Sequence, residues 1–154
     1  MNIIEYYKKQ FLSNYPDAVV APVIISLEQL YSLPEGPAKC LVIDGLLNHT
    51  LDYEQVIRLA KEKLTASGRL LVFLQSIAPS LDSQPSYWGF TLASGKYIFT
   101  KYFEPENVEV SGFGNVLVGR VLLTGGTKED LSEAELEFVD PFYPVCVGVA
   151  CLNN

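Results

Sequence analysis

Two short runs constrain the fold more than anything else in the chain: Lys39 to Asp44 (KCLVID) and Arg69 to Gln75 (RLLVFLQ). Neither alternates apolar with polar residues, which is the pattern of a strand buried on both faces, as parallel strands are. Between them, Val56, Leu59, Ala60 and Leu64 fall on one helical stripe. Asp52 and Glu54 open that helix, where acids suit the dipole, and Gly68 reads as its C-cap. A strand, a helix and a strand of these lengths make one right-handed parallel crossover.

The flanks extend the pattern. Ile3, Ile4, Tyr7, Phe11 and Leu12 share one face of an amino-terminal helix, which Ser13 to Asp17 ends. Ala18 to Ile25 is rich in Val and Ile and reads as a strand, confined to an edge or a bulge by Pro22. Ser26 opens a short helix through Leu33, and Pro34 to Pro37 is a turn. Beyond the second strand comes a Ser- and Pro-rich loop, Ser76 to Gly89, long enough to carry function. A helix over Thr91 to Phe103 and a strand over Val108 to Ser111 follow. Val116 to Leu123 is apolar throughout, so its pattern fits helix or strand equally. Gly125-Gly126 reads as a helix end, Ser132 to Glu135 as a helix start, and Val145 to Leu152 as a last strand of small apolar residues. There is no repeat and no linker, so residues 1–154 form one domain, with 1–38 an amino-terminal helix plus edge strand and 39–154 the α/β body.

Composition excludes several classes of function. Nearly half the residues are apolar, enough for a real core. The net charge of −7 comes with scattered Lys and Arg, which argues against nucleic acid and against anionic membrane surfaces. No apolar run approaches the roughly 20 residues a bilayer requires, and the amino terminus lacks a secretory pattern. Cys40, Cys146 and Cys151 sit in strand-like segments, as buried reduced thiols do, and neither a disulfide nor a metal site is expected. The expected compartment is the cytoplasm.

Four segments in order, KCLVIDGLLNHTLD, Lys63 to Val72, Tyr87-Trp88-Gly89-Phe90-Thr91 (YWGFT), and the pair Phe113-Gly114-Asn115-Val116 with Asp140-Pro141-Phe142-Tyr143-Pro144, carry a family likeness. Together they resemble the carboxy-terminal half of class I S-adenosylmethionine (SAM) dependent methyltransferases. The resemblance covers about two-thirds of the chain, from Cys40 onward. Thr65, Ala66 and Ser67 depart from the family's Lys-Pro-Gly, and relatives carry Arg at Gly89. The resemblance implies an α/β fold: a partial Rossmann-like class I methyltransferase sheet, family strands 4-5-7-6, with flanking helices. It also makes Val116 to Leu123 a helix.

The same resemblance makes Asp44, Gly45 and Asn48 candidate cofactor-facing residues and His49, with Asp44, a candidate acid–base residue. The competing readings are a loop histidine for His49 and a turn cap for Asp44. Trp88, Tyr87 and Phe90 are candidate substrate-stacking residues, against the reading that they anchor the Ser/Pro loop. The family grips SAM with a glycine-rich turn after its first strand and an acidic residue ending its second. Ahead of Lys39 the only glycine is Gly36, between two prolines. The chain therefore reads as truncated or degenerate, with no cofactor expected for the isolated chain and a role in binding. The alternatives are SAM held in a site completed by a partner chain, and a different small-molecule enzyme that reuses the pocket. Without family strands 1 and 2, the KCLVID strand becomes an apolar edge, which invites pairing. Either Ala18 to Ile25 covers it, or two chains meet there and bury the amino-terminal helix as well. A homodimer is expected, through the sheet edge or that helix, and a protein partner is compatible with the same edge.

Overall fold

The computed structural model describes residues 2–34 and 38–154, so most of the turn read at Pro34 to Pro37 lies outside the described residues. The chain runs α1 (Ile3–Ser13), β1 (Val23–Ile24), α2 (Leu27–Tyr31), β2 (Ala38–Asp44), α3 (Tyr53–Lys63), β3 (Leu64–Gln75), α4 (Leu92–Phe99), β4 (Val108–Phe113), α5 (Val116–Leu123), α6 (Glu133–Glu137) and β5 (Cys146–Asn153). The strands form one sheet in the order β1-β2-β3-β5-β4. β1, β2 and β3 are parallel, and β5 runs antiparallel between β3 and β4. The order β2-β3-β5-β4 is the 4-5-7-6 arrangement expected from the sequence.

Strand geometry sends successive side chains to opposite faces, and both faces are covered. On one side Leu41, Ile43, Leu70, Val72, Leu74, Val147 and Val149 pack with Leu30 of α2, Val56 and Ile57 of α3, and Phe99 of α4. On the other, Val42, Leu71, Phe73, Cys146 and Ala150 pack with Ile3, Tyr7 and Phe11 of α1, Val118 of α5 and Leu136 of α6. The Tyr7 hydroxyl donates to the Leu136 carbonyl at 2.9 Å and ties α1 to α6. Asn115 caps α5 and also donates to the carbonyls of Glu135 and Phe138, both at 2.7 Å. Val116 to Leu123 is thus a helix, as the resemblance implied.

Three readings need correction. Ala18 to Ile25 is not one strand: Pro16–Val20 forms a 3-10 turn, and only Val23 and Ile24 pair, with Val42 and Ile43. Pro22 sits just ahead of that strand, where its carbonyl accepts from Val42 N–H at 3.0 Å and its missing donor costs nothing. Gly68 does not cap α3. The helix ends at Leu64, already extended and paired with Ala38. A bulge follows in which Ser67 takes the left-handed conformation (φ 63°). Gly68 is required there because a Cβ would lie 2.8 Å from the Thr65 carbonyl. Finally, the apolar stripe of α1 is buried against its own sheet, so it is not a free dimer surface. No helix of the described residues is long and apolar enough to cross a membrane.

Candidate functional site

Three adjoining hollows run along the carboxyl ends of β2 and β3, the edge where open α/β sheets place ligands. The first, about 240 Å³, lies beside Asp44, Gly45, His49 and Gln75. The second, about 630 Å³, shares Asp44 and Gln75 with it and is walled by Glu5 and Lys8 of α1. The third, about 380 Å³, shares Ile77 and Leu123 with the second and lies against α5.

The chain reverses sharply after β2. Gly45 is left-handed (φ 69°) and donates to the Phe73 carbonyl at 3.0 Å, which starts the short 3-10 turn Leu46–His49. Asp44, at the strand's last position, accepts from Lys8 at 2.7 Å, and Lys8 also meets Glu5 at 2.6 Å. Burial pulls the Lys8 ammonium toward neutrality, yet its hydrogen bonds to the two carboxylates outweigh that and hold its pKa above the ordinary lysine value. The carboxylate at the end of β2 is therefore already paired with a side chain from its own amino-terminal helix.

Asn48 is fully buried (0% exposed), and its amide is used completely. Its nitrogen donates to the carbonyls of Gln75 (2.8 Å) and Trp88 (2.7 Å), while its oxygen accepts from Gln75 N–H (3.0 Å). This residue clasps the end of β3 to the YWGFT segment and presents nothing to a ligand. His49 Nδ1 lies 2.9 Å from the Pro85 carbonyl, which only accepts, so Nδ1–H is the donor in that bond. His49 and Asp44 line the same hollow.

The aromatic candidates do not join them. Phe90 is core, edge-on to Tyr53 at 6.0 Å. Trp88 is 39% exposed and stacks edge-on against Tyr53, while its indole N–H donates to the carbonyls of Thr50 (3.0 Å) and Leu51 (3.2 Å). Tyr87 is exposed, with its N–H on the Asn48 carbonyl. Trp88 and Phe90 both pack on Tyr53, and Trp88 ties its segment to the Thr50 and Leu51 carbonyls. Cys40, Cys146 and Cys151 are buried and unpaired; burial pushes each thiol pKa up, that of Cys151 to about 12, which makes them poor nucleophiles. No cluster of three or more His, Cys, Asp or Glu able to hold a metal occurs among the described residues. Glu5, Lys8, Gln75 and Ile77 were not legible as site residues, because only the fold brings them beside Asp44.

No protein-family model matches the chain, and no curated protein matches it in sequence. Solved structures do. A SAM-dependent methyltransferase from Archaeoglobus fulgidus superposes with a TM-score of 0.51 at 15% identity, covering 82% of this chain and 64% of that one. An S-adenosylmethionine-dependent methyltransferase from Mesorhizobium loti gives 0.49 at 12% identity, covering 79% and 64%. Phosphoethanolamine N-methyltransferase 2 from Haemonchus contortus, solved with SAM, gives 0.49 at 11% identity, covering 79% of this chain and 34% of its own. The chain spans less than two-thirds of the length of these structures. It has a methyltransferase-like fold.

Proposed function

We propose that this chain is a methyltransferase-like module that acts by binding, without holding SAM productively on its own. The observation that carries this reading is the turn after β1. In the family order 3-2-1-4-5-7-6, the strand beside family strand 4 precedes the glycine-rich turn, whose bare backbone approaches the nucleoside. Here β1 occupies that place in the sheet, and the turn after it is Ile25-Ser26, both with side chains. Its polar groups are already engaged: Ile25 N–H donates to Gln29 Oε1 (2.8 Å), and Ser26 Oγ accepts from Gln29 N–H (3.2 Å). Methyl transfer depends on holding the sulfonium in line with its acceptor, and at this turn side chains stand where the family's bare glycine backbone approaches the nucleoside. Titration calorimetry of the purified chain with SAM and S-adenosylhomocysteine tests the reading. No saturable heat is expected at millimolar ligand, whereas micromolar binding would end it.

One observation favours a second reading, a site completed by another chain. β1 pairs over two residues only, and beside it Val19 (87%) and Val20 (88%) are almost fully exposed, with Val23 and Ile25 about half exposed. An apolar edge of this kind is an association hazard unless covered. Residues 18–25 carry no charge, so two copies meet there without repulsion despite the net charge of −7. We propose a second copy of this chain as the occupant. Light scattering at tens of micromolar is expected to give twice the chain mass, falling to the monomer mass for Val20→Lys. A clean wild-type monomer would remove the proposal.

A further inference from the structure

The third hollow is a slot between the end of β3, α5 and the Phe142 to Val145 segment, and four features of it go unused by the readings above. Its lining is mostly apolar, yet it includes Arg120, whose guanidinium has no ion-pair or hydrogen-bond partner among the described residues. Ser76, also in the wall, has a buried hydroxyl with no hydrogen-bond partner among the described residues. Such groups are rarely left unsatisfied.

The third feature is Gly119, in the middle of α5. Glycine weakens a helix interior, and sterics do not demand it here: an added Cβ would meet only Ile77 Cδ1 at 3.8 Å and Val145 Cγ2 at 3.9 Å, ordinary contact distances. Its effect is to leave the slot open. The fourth is the rim. Phe142 (83% exposed) and Tyr143 (67%) are held in place by their N–H groups, which donate to Asp140 Oδ1 at 2.8 and 3.3 Å. Two large aromatics thus stand on a held backbone at the mouth of an apolar slot, largely uncovered by the described residues.

We propose that this slot binds a small amphipathic carboxylate. Its aromatic or branched aliphatic body lies between Ile77, Val116 and Leu123 under the Phe142–Tyr143 rim, and its carboxylate lies on Arg120. A planar guanidinium fork matches a planar carboxylate, and a single unpaired Arg neutralises a single negative charge. The Ser76 hydroxyl, turned about χ1, meets a polar atom at the inner end. The slot stands whether or not SAM binds, since none of its residues belongs to the turn after β1.

The test is calorimetry on the full chain with 2-naphthoate and with the uncharged, near-isosteric 2-naphthamide. Naphthoate is expected to bind about tenfold or more tightly than the amide, the scale of one charge-assisted contact. Arg120→Gln, at an exposed position, is expected to erase that preference while leaving amide binding unchanged. Gly119→Ala is expected to weaken both ligands while the thermal midpoint stays level or rises, a combination that mere damage to the fold would not give. Equal binding of acid and amide, no binding of either at millimolar concentration, or variants that bind as wild type would each overturn the proposal.

Discussion

Phe11→Ala is expected to lower the unfolding free energy by about 3–5 kcal/mol, the range for a buried aromatic truncated in a core. Phe11 is 1% exposed and lies on the sheet under α1, with ring centroids 6.4 Å from Phe73 and 6.2 Å from Phe113. It reaches that depth because Gly148, at the middle of β5, has no side chain. A Cβ there would come within 2.4 to 2.8 Å of the Phe11 ring. Gly148→Ala should therefore destabilise by about 1–3 kcal/mol through overpacking. The two changes share one volume, so their effects should not add: Gly148→Ala should cost much less in the Phe11→Ala background. Urea unfolding of the four proteins measures this coupling. Strict additivity, or a loss below about 1 kcal/mol for Phe11→Ala, would mean that α1 is not held on the sheet by this contact.

The second large effect is expected at Asn48. Asn48→Ala leaves the Gln75 N–H and the Trp88 carbonyl without their side-chain partner, and the Gln75 carbonyl with the Phe90 N–H alone, around a side chain that is itself fully buried. An orphaned buried group costs about 1–3 kcal/mol, so a loss of about 3–5 kcal/mol is expected. Asn48→Asp should be no better, because a carboxylate keeps the bond from Gln75 N–H but faces two carbonyls with nothing to donate. Hydrogen exchange supplies a local readout: the Gln75 amide should lose its protection out of proportion to the rest of β3. An Asn48→Ala protein as stable as wild type would place Asn48 outside the frame and return it to the open site.

Much of the fold was legible because each local signal agreed with burial. KCLVID and RLLVFLQ are apolar between their ends, from Cys40 to Ile43 and from Leu70 to Leu74, because helices cover both faces of β2 and β3. Ser132 was readable as a helix start because its capping box with Glu135 is local chemistry. The misreadings share a cause in tertiary context. Ala18 to Ile25 has strand composition, but two of its valines face solvent and only two residues find a partner strand. Gly68 looked like a helix end because a glycine after a helical stripe is a good cap, whereas its place is set by the Thr65 carbonyl across a bulge.

The site was less legible than the fold. Asp44 and His49 were identified from their place after a strand, and they do share a hollow. Asn48, from the same run, points the other way, as expected of a residue in a tight 3-10 turn flanked by the core leucines Leu46 and Leu47. Lys8 is 36 residues from Asp44, and nothing local in Tyr7-Lys8-Lys9 marks it as that carboxylate's partner. Arg120 and Gly119 were absorbed into an apolar helix, and only the fold brings them to one slot with Ser76 and the Phe142–Tyr143 rim.

Saturation-transfer NMR of SAM with the isolated chain tests the central claim most directly, because it reports contact between protein and the adenosyl protons even when binding is weak. With the turn after β1 closed by Ile25, Ser26 and Gln29, and Asp44 paired to Lys8, no transfer to the adenine or ribose protons is expected. Transfer that S-adenosylhomocysteine displaces would contradict it.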